Sequence, residues 1–302
     1  MYNGLINVYK EPGFTSMDVI AVLRGILGQK KIGHTGTLDP AAEGVLLVCL
    51  GNATKLCDML ENHDKTYRCT MVLGRTTDTE DTTGTVTGEY PVNVTKESVT
   101  EAIKSFIGDY DQIPPMYSAI KVNGKKLYDI ARSGGEVERK PRHIKIFDIT
   151  DIVTDLPRVS FTVSCSKGTY IRSLCRDIGE KLSCGGCMEK LIRIKAGDFD
   201  ISTSLRLDEI KKLAVSGDIN ESVIPTEKVF EKSPVLKVKP EYAKLIDNGN
   251  PLMTECVEPA IIPDKGQRFR VYNTNNVFVA TYIFDTEKNR LMPEKMFLQY
   301  SL

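Results

Sequence analysis

The stretch GHTGTLDPAAEG, residues 33–44, carries a carboxylate, Asp39, on its bend. Two glycines precede it, a proline follows it, and Gly44 closes the segment ahead of the apolar run VLLVCLG. A reactive group on a bent loop fed by a buried strand is a common way to hold chemistry in place. Asp before Pro also opens ordinary turns, so the fragment alone supports both readings. An aspartate, with an ordinary pKa of about 3.9, is ionised at neutral pH and available as a base or a nucleophile.

Other chemistries find less support. Cys184 and Cys187 form CGGC. Structural zinc needs four ligands, usually from a second pair at suitable spacing, and the remaining cysteines are scattered. The three histidines, His34, His63 and His143, form no HxxxH or HxxxxH pair. A redox dithiol should open a helix after a strand, whereas this motif follows a helix, so its glycines read as a helix stop. The sequence has neither the GK[ST] of a phosphate loop nor a GxGxxG. No cofactor or metal is expected, which leaves acid, base or nucleophilic work by side chains.

The elements that must hold Asp39 are legible as periodicities. LINVYK reads as a first strand. Ser16 is placed to cap a helix with apolar positions at Val19, Ile20, Leu23, Ile26 and Leu27. VLLVCL does not alternate and reads as a strand buried on both faces. TKLCDMLENH suggests a short helix. TYRCTMVLG alternates through Tyr67, Cys69, Met71 and Leu73, as a strand with one buried face does. A helix is expected from Glu97 to Phe106, with Ser98 and Glu101 at capping-box spacing. RVSFTVSCS alternates again, and YIRSLCRDIGEKL puts Ile171, Leu174, Cys175, Ile178 and Leu182 on one stripe. Strands and helices mix without a repeating unit, which makes the class α+β. Composition changes near 223–233, and VLKVK, RFRVYN and NVFVATYIF beyond it predict a small β-rich module.

The chain has 302 residues, 41% hydrophobic and 26% charged, with zero net charge. No apolar run approaches the ~20 residues of a membrane span. The first residues lack a secretory pattern, and eight cysteines without one point to a reducing compartment. A cytoplasmic location away from membranes is expected. Charge is uneven along the chain. Lys121 to Lys145 holds eight Lys or Arg against three acids, and Arg75 to Asp111 holds eight acids against three bases. The acidic block reads as solvated surface. The basic one is open between nucleic-acid contact and plain surface.

KEPGFTS, KIGHTGTLDPAAEGVLLVCLGNATKL, DKTYR, IPPMYSAIKVNGKKLYDIAR and KGTYIRSL resemble, in order and spacing, the TruB family of tRNA pseudouridine synthases. The resemblance runs from about Gly4 to Phe199, and the tail around RLMPEKMF resembles, more weakly, a PUA-type RNA-binding module. It implies a catalytic domain over 1–225 with a mixed, mainly antiparallel sheet flanked by helices, an RNA-binding insertion at about 112–145, and a PUA-like domain over 232–302. It further implies isomerisation of uridine 55 in the tRNA T loop without metal or cofactor, by a monomer needing no protein partner. Asp39 matches the catalytic aspartate, Arg172 the arginine that pairs with it, and Tyr67 the tyrosine that stacks on the target base. His34 matches the histidine that fills the space left by the flipped base, and Tyr170, Lys55 and Leu191 match residues of the pocket or its rim. The basic segment falls on the insertion that closes over the RNA, with the acidic block elsewhere. Two positions depart from the family pattern: Cys187, where many relatives have histidine, and Ile192, commonly a second arginine. Two further readings stay open: a tRNA-folding chaperone with minor catalysis, and a guide-RNA-dependent synthase acting on ribosomal RNA.

Overall fold

The computed structural model describes residues 1–122 and 124–298; position 123 of the expected insertion and the last four positions of the expected terminal module lie outside them. Strand β1 (Gly4–Lys10) runs into α1 (Ser16–Leu27), followed by β2 (Ile32–Thr35) and β3 (Glu43–Leu50). Helix α1 buries Val19, Ile20, Leu23 and Leu27 against the sheet. Its cap is Thr15 rather than Ser16, in a reciprocal box with Asp18, because the next residue, Ser16, is buried and spent on another contact. TKLCDMLENH folds as a 3-10 turn, Gly51–Leu56, and a short α2 (Cys57–Glu61). Strand β4 (Lys65–Leu73) precedes a small ribbon of β5 (Arg75–Thr77) and β6 (Val86–Glu89). Helix α3 (Lys96–Lys104) is capped by Thr95, with Ser98 as the third residue of the box, one turn earlier than the Ser98–Glu101 spacing suggested.

Strand β7 (Gly108–Gln112) ends where the expected insertion begins. The insertion contains a hairpin, β8 (Lys121–Val122) and β9 (Lys125–Lys126), then α4 (Leu127–Arg132). The chain returns to the sheet as β10 (Arg142–Asp155), where Arg142 pairs directly with Gln112. Next come β11 (Arg158–Cys165), α5 (Ile171–Lys181), β12 (Gly186–Ala196), β13 (Phe199–Asp200), α6 (Leu207–Ser216) and α7 (Ile219–Ser222). The main sheet runs β1-β3-β12-β4-β11-β10-β7, with β2 beside β3 and β13 beside β12. Every pairing in it is antiparallel except β12 with β3. The architecture is the expected α+β one.

One core lies between this sheet and α3 and α5, built on Met71, Phe161, Leu174 and Ile178. A second joins β1, β2 and β3 to α1 and α6. The CGGC segment is the turn from α5 into β12, and both its thiols are buried and free. A Cβ on Gly179 would sit 2.2 Å from the Gly186 nitrogen. The glycines therefore let the turn lie directly on the helix, a close approach that side chains would block.

Beyond the main sheet, β14 (Val235–Val238), α8 (Ala243–Asp247), β15 (Val257–Glu258), β16 (Arg268–Tyr272), β17 (Phe278–Asp285) and β18 (Arg290–Met296) form a second unit. Its five strands are ordered β15-β14-β16-β17-β18. Phe230, Phe278 and Phe297 pack together against Leu47, Cys49, Leu56 and Leu60, so the two sheets share a core. No described helix is long and apolar enough to cross a membrane.

Candidate active site

Asp39 owes its position to groups that hold the carbonyls of its own loop. Leu38, buried in the main core, donates its N–H to Ser16 Oγ at 3.0 Å, which is where the first residue of α1 is spent. Lys10, at the end of β1 and fully buried, donates from Nζ to Ala42 O at 2.5 Å and to Pro40 O at 3.2 Å. Gly13 N also reaches Pro40 O, at 2.9 Å. On the other side, Arg193 of β12 spans the loop, with Nη2 on Gly36 O at 3.0 Å and Nε on Val45 O at 2.6 Å. Gly44 has to be glycine here. Its φ is +105°, and a Cβ would meet Arg193 O at 2.3 Å, where β3 and β12 run parallel. Buried carbonyls need donors, and this loop receives them from two buried cations and from Ser16 Oγ, which also donates to Leu38 O at 3.4 Å.

Arg172 lies at the start of α5 and pairs with that carboxylate, its Nε 2.9 Å from Asp39 Oδ2. Its side chain is 6% exposed, whereas that of Asp39 is 41% exposed. The cation is thus shielded while the carboxylate faces an open cleft. The other guanidinium nitrogens are committed, Nη1 to Thr79 O and Nη2 to Tyr117 O, both at 2.9 Å. Asp81 Oδ2 stands 3.9 Å from the same Nε. Glu80 accepts from Ser173 Oγ at 2.6 Å and from Arg176 on the next turn of α5. The acidic block is therefore not all solvated surface, as its sequence suggested. Residues 79–81 are folded against α5 because its arginines would otherwise be buried without partners.

The cleft of about 1060 Å³ is lined by Asp39, Arg172, Tyr67, Tyr170, His34 and Leu191, among others. Tyr67 stands at the end of the apolar row of β4, directly across from Arg193 of β12. Burial pushes its phenol pKa up against the opposing Arg193 charge, so it remains a neutral hydroxyl at working pH. Tyr170 is raised by burial too. Burial, with help from Arg193, lowers the His34 pKa. Its ring is accordingly neutral, with a buried Nδ1 that has no partner among the described residues. A neutral ring can enter a base stack without the cost of desolvating a charge.

Lys55 is the exception. It sits on the 3-10 turn after β3 and donates to Met296 O at 2.7 Å, away from the cleft lining. The turn points its side chain at the terminal sheet. Sequence reasoning also passed over Lys10, Lys65 and Arg193. Lys65 is buried on the cleft floor, donating to Glu61 O at 2.5 Å and His63 O at 2.6 Å. The available signal was a lone cation ending or interrupting an apolar strand, as Lys10 does in LINVYK and Arg193 in LIRI. Basic residues of the insertion, Lys126 and Arg142, reach the cleft rim.

Burial lowers the Lys10 pKa from 10.5 to about 8. Between those values the unfolded chain binds more protons at this position than the folded one, so Lys10 makes stability rise with pH across that window. The stability difference between wild type and Lys10→Met should therefore grow in favour of wild type from pH 8 to 10.5. Urea unfolding of both proteins at several pH values checks this, and a constant difference would contradict it.

Two family models match in succession. The TruB family pseudouridylate synthase (N terminal domain) covers residues 24–171, and the tRNA pseudouridylate synthase B C-terminal domain covers 172–231. The tRNA pseudouridine synthase B of Lachnoclostridium phytofermentans is 52% identical over 98% of this chain and 100% of its own length. That of Clostridium kluyveri is 45% identical over 92% of this chain and 94% of its own. Among solved structures, a Cbf5-Nop10-Gar1 complex matches with a TM-score of 0.73 and 26% identity, covering 98% of this chain and 85% of that one. A loop aspartate held by a shielded arginine in an open cleft thus coincides with matches that run along nearly the whole sequence, and the chain belongs to the TruB family of tRNA pseudouridine synthases.

Proposed function

We propose that this enzyme isomerises uridine 55 in the T loop of tRNA to pseudouridine, with Asp39 as the catalytic carboxylate and the target base flipped into the cleft. The observation that carries the reading is the Arg172–Asp39 pair, a buried cation aiming an exposed carboxylate into a space large enough for a nucleotide. Near-complete coverage of relatives named for tRNA supports tRNA over a guide-dependent substrate. A base inside a stacked loop must be extruded before its glycosidic bond can be attacked. Tyr67 then serves as its platform and the neutral His34 ring takes its place in the stack. Tyr170 and Leu191 form the apolar walls.

The chemistry breaks the bond from ribose C1′ to N1, turns the base, and forms a bond from C1′ to C5. The proton on C5 leaves and N1 gains one, so atoms balance without a cofactor. Asp39 supplies negative charge next to the sugar, where positive charge develops as the glycosidic bond breaks. Tyr67 has a neutral hydroxyl, so it passes a proton on as a relay and does not rest as a phenolate. The basic insertion grips phosphates, and the second sheet acts as a PUA-like RNA-binding module. The protein works as a monomer in the cytoplasm, without an obligatory protein partner.

Asp39→Asn keeps shape and removes charge. It should bind tRNA normally and lose isomerisation in single turnover, measured by conversion of a T-arm hairpin; near-wild-type conversion would sink the assignment. Tyr67→Phe keeps the ring and removes the hydroxyl, and should cost at least ~100-fold in single-turnover rate with RNA affinity intact. A rate close to wild type would leave Tyr67 a platform only. Arg139 holds Pro114 O at 3.1 Å within the insertion, so its loss would disturb structure as well as charge. Neutralising the exposed Lys121, Lys125 and Lys140 together should flatten the salt dependence of binding, by about 0.7 to 0.9 in log–log slope for each phosphate left without its cation. An unchanged slope would make this segment ordinary surface.

A further inference from the structure

The insertion leaves the sheet at Gln112 and rejoins it at Arg142, and these two residues face each other across β7 and β10. Its neck is therefore one residue pair wide. Gln112 is 1% exposed although its side chain is polar. Both ends of its amide are used on one residue. Gln112 Nε2 donates to Tyr170 O at 3.0 Å, and Tyr170 N donates to Gln112 Oε1 at 2.8 Å. A single side chain thus clasps the backbone of Tyr170 from both sides, as a neighbouring strand would.

Tyr170 is the N-cap residue of α5, and no side chain caps that end. Arg172 is the second residue of the helix. Holding the peptide groups of Tyr170 sets the direction in which the first turn of α5 starts, and with it the origin of the Arg172 side chain. Two more contacts join the neck to the same helix: Arg172 Nη2 to Tyr117 O at 2.9 Å, and Arg176 Nη2 to Ile113 O at 3.2 Å. The segment that enters the insertion is stitched to α5 at three points, all within one and a half turns of the arginine that aims Asp39.

We propose that Gln112 is a positioning residue for catalysis, whose two-point clasp on Tyr170 couples the seating of the insertion on RNA to the placement of Arg172 and Asp39. The inference rests on the isomerase reading of the cleft. Gln112 touches no reacting atom. It acts through Tyr170 and Arg172, and its removal should show in the rate more than in binding. Small displacements of aligned groups can cost ~10²-fold.

The test uses three variants of the full chain on a T-arm hairpin in single turnover. Gln112→Met keeps the volume and removes both bonds; it should lose at least ~10-fold in rate with tRNA affinity changed less than about 3-fold. Gln112→Glu, when ionised, accepts from Tyr170 N but repels Tyr170 O. When protonated it can donate to that carbonyl and restore the clasp. Burial raises the pKa of such a carboxyl, so the rate ratio of wild type to Gln112→Glu should fall as pH is lowered from 8.5 to 6. Gln112→Asn is too short for both bonds and should show a pH-independent deficit. Inactive wild type would refute the isomerase reading itself. With active wild type, a pH-independent ratio for Gln112→Glu, a wild-type rate for Gln112→Met, or a deficit confined to affinity would each overturn the positioning role. Should Gln112→Met fail to fold, the pH response of Gln112→Glu decides alone.

Discussion

The site depends on one guanidinium. Arg172 offers its edges to three separate pieces of chain: the carboxylate of Asp39, the carbonyl of Thr79 in the acidic loop, and the carbonyl of Tyr117 at the root of the insertion. A planar, permanently charged fork suits this work better than a lysine, whose donors sit on a single point. Because the group is almost fully buried, leaving any edge unpaired costs more than a typical hydrogen bond. The Asp39 loop, the acidic loop and the insertion are thereby made to agree on one place, although they lie far apart in sequence.

The loop of Asp39 repeats the principle with the roles exchanged. There the chain supplies acceptors and isolated cations supply the donors. Lys10 and Arg193 stand on opposite sides of the segment 36–45 and hold four of its carbonyl groups between them. Among the described residues, neither cation has a carboxylate within salt-bridge distance. Their charges are met by backbone carbonyl dipoles instead. Burial first, and the Arg193 charge second, lower the Lys65 and His34 pKa values.

Much of this was legible in sequence, for physical reasons. Strand β4 and helices α1 and α5 announce themselves because a one-sided core imposes a period on apolar residues, and β3 because burial on both faces makes it apolar without a break. Asp39 stood out because glycine and proline constrain its loop. Arg172, Tyr67, His34, Tyr170 and Leu191 came through resemblance, and the structure gathers them around one cleft. What stayed hidden depends on partners distant in sequence. Glu80 and Asp81 look in sequence like any exposed acid, and only the arginines of α5 reveal otherwise. Lys10 looks like a strand end until the carbonyls of residues 40 and 42 arrive beside it. Lys55 fell outside because the facing of a 3-10 turn does not follow from spacing. The caps of α1 and α3 lie one residue or one turn from where spacing put them, since among neighbouring Ser and Thr the local chemistry is nearly degenerate.

The aromatic seam between the two sheets has a consequence for how length is measured. Phe230 and Phe297 are buried in it, and Asn52 and Lys55 tie the backbone of residues 296–297 to the turn after β3. Swinging the terminal sheet away would expose those rings, at about 1.5–3 kcal/mol for each side chain, and would break both ties. The span from Asp39 to the terminal sheet is thus a fixed dimension of the molecule, like the gap of a set calliper. Any ligand that spanned both ends would have to carry that dimension in its own shape.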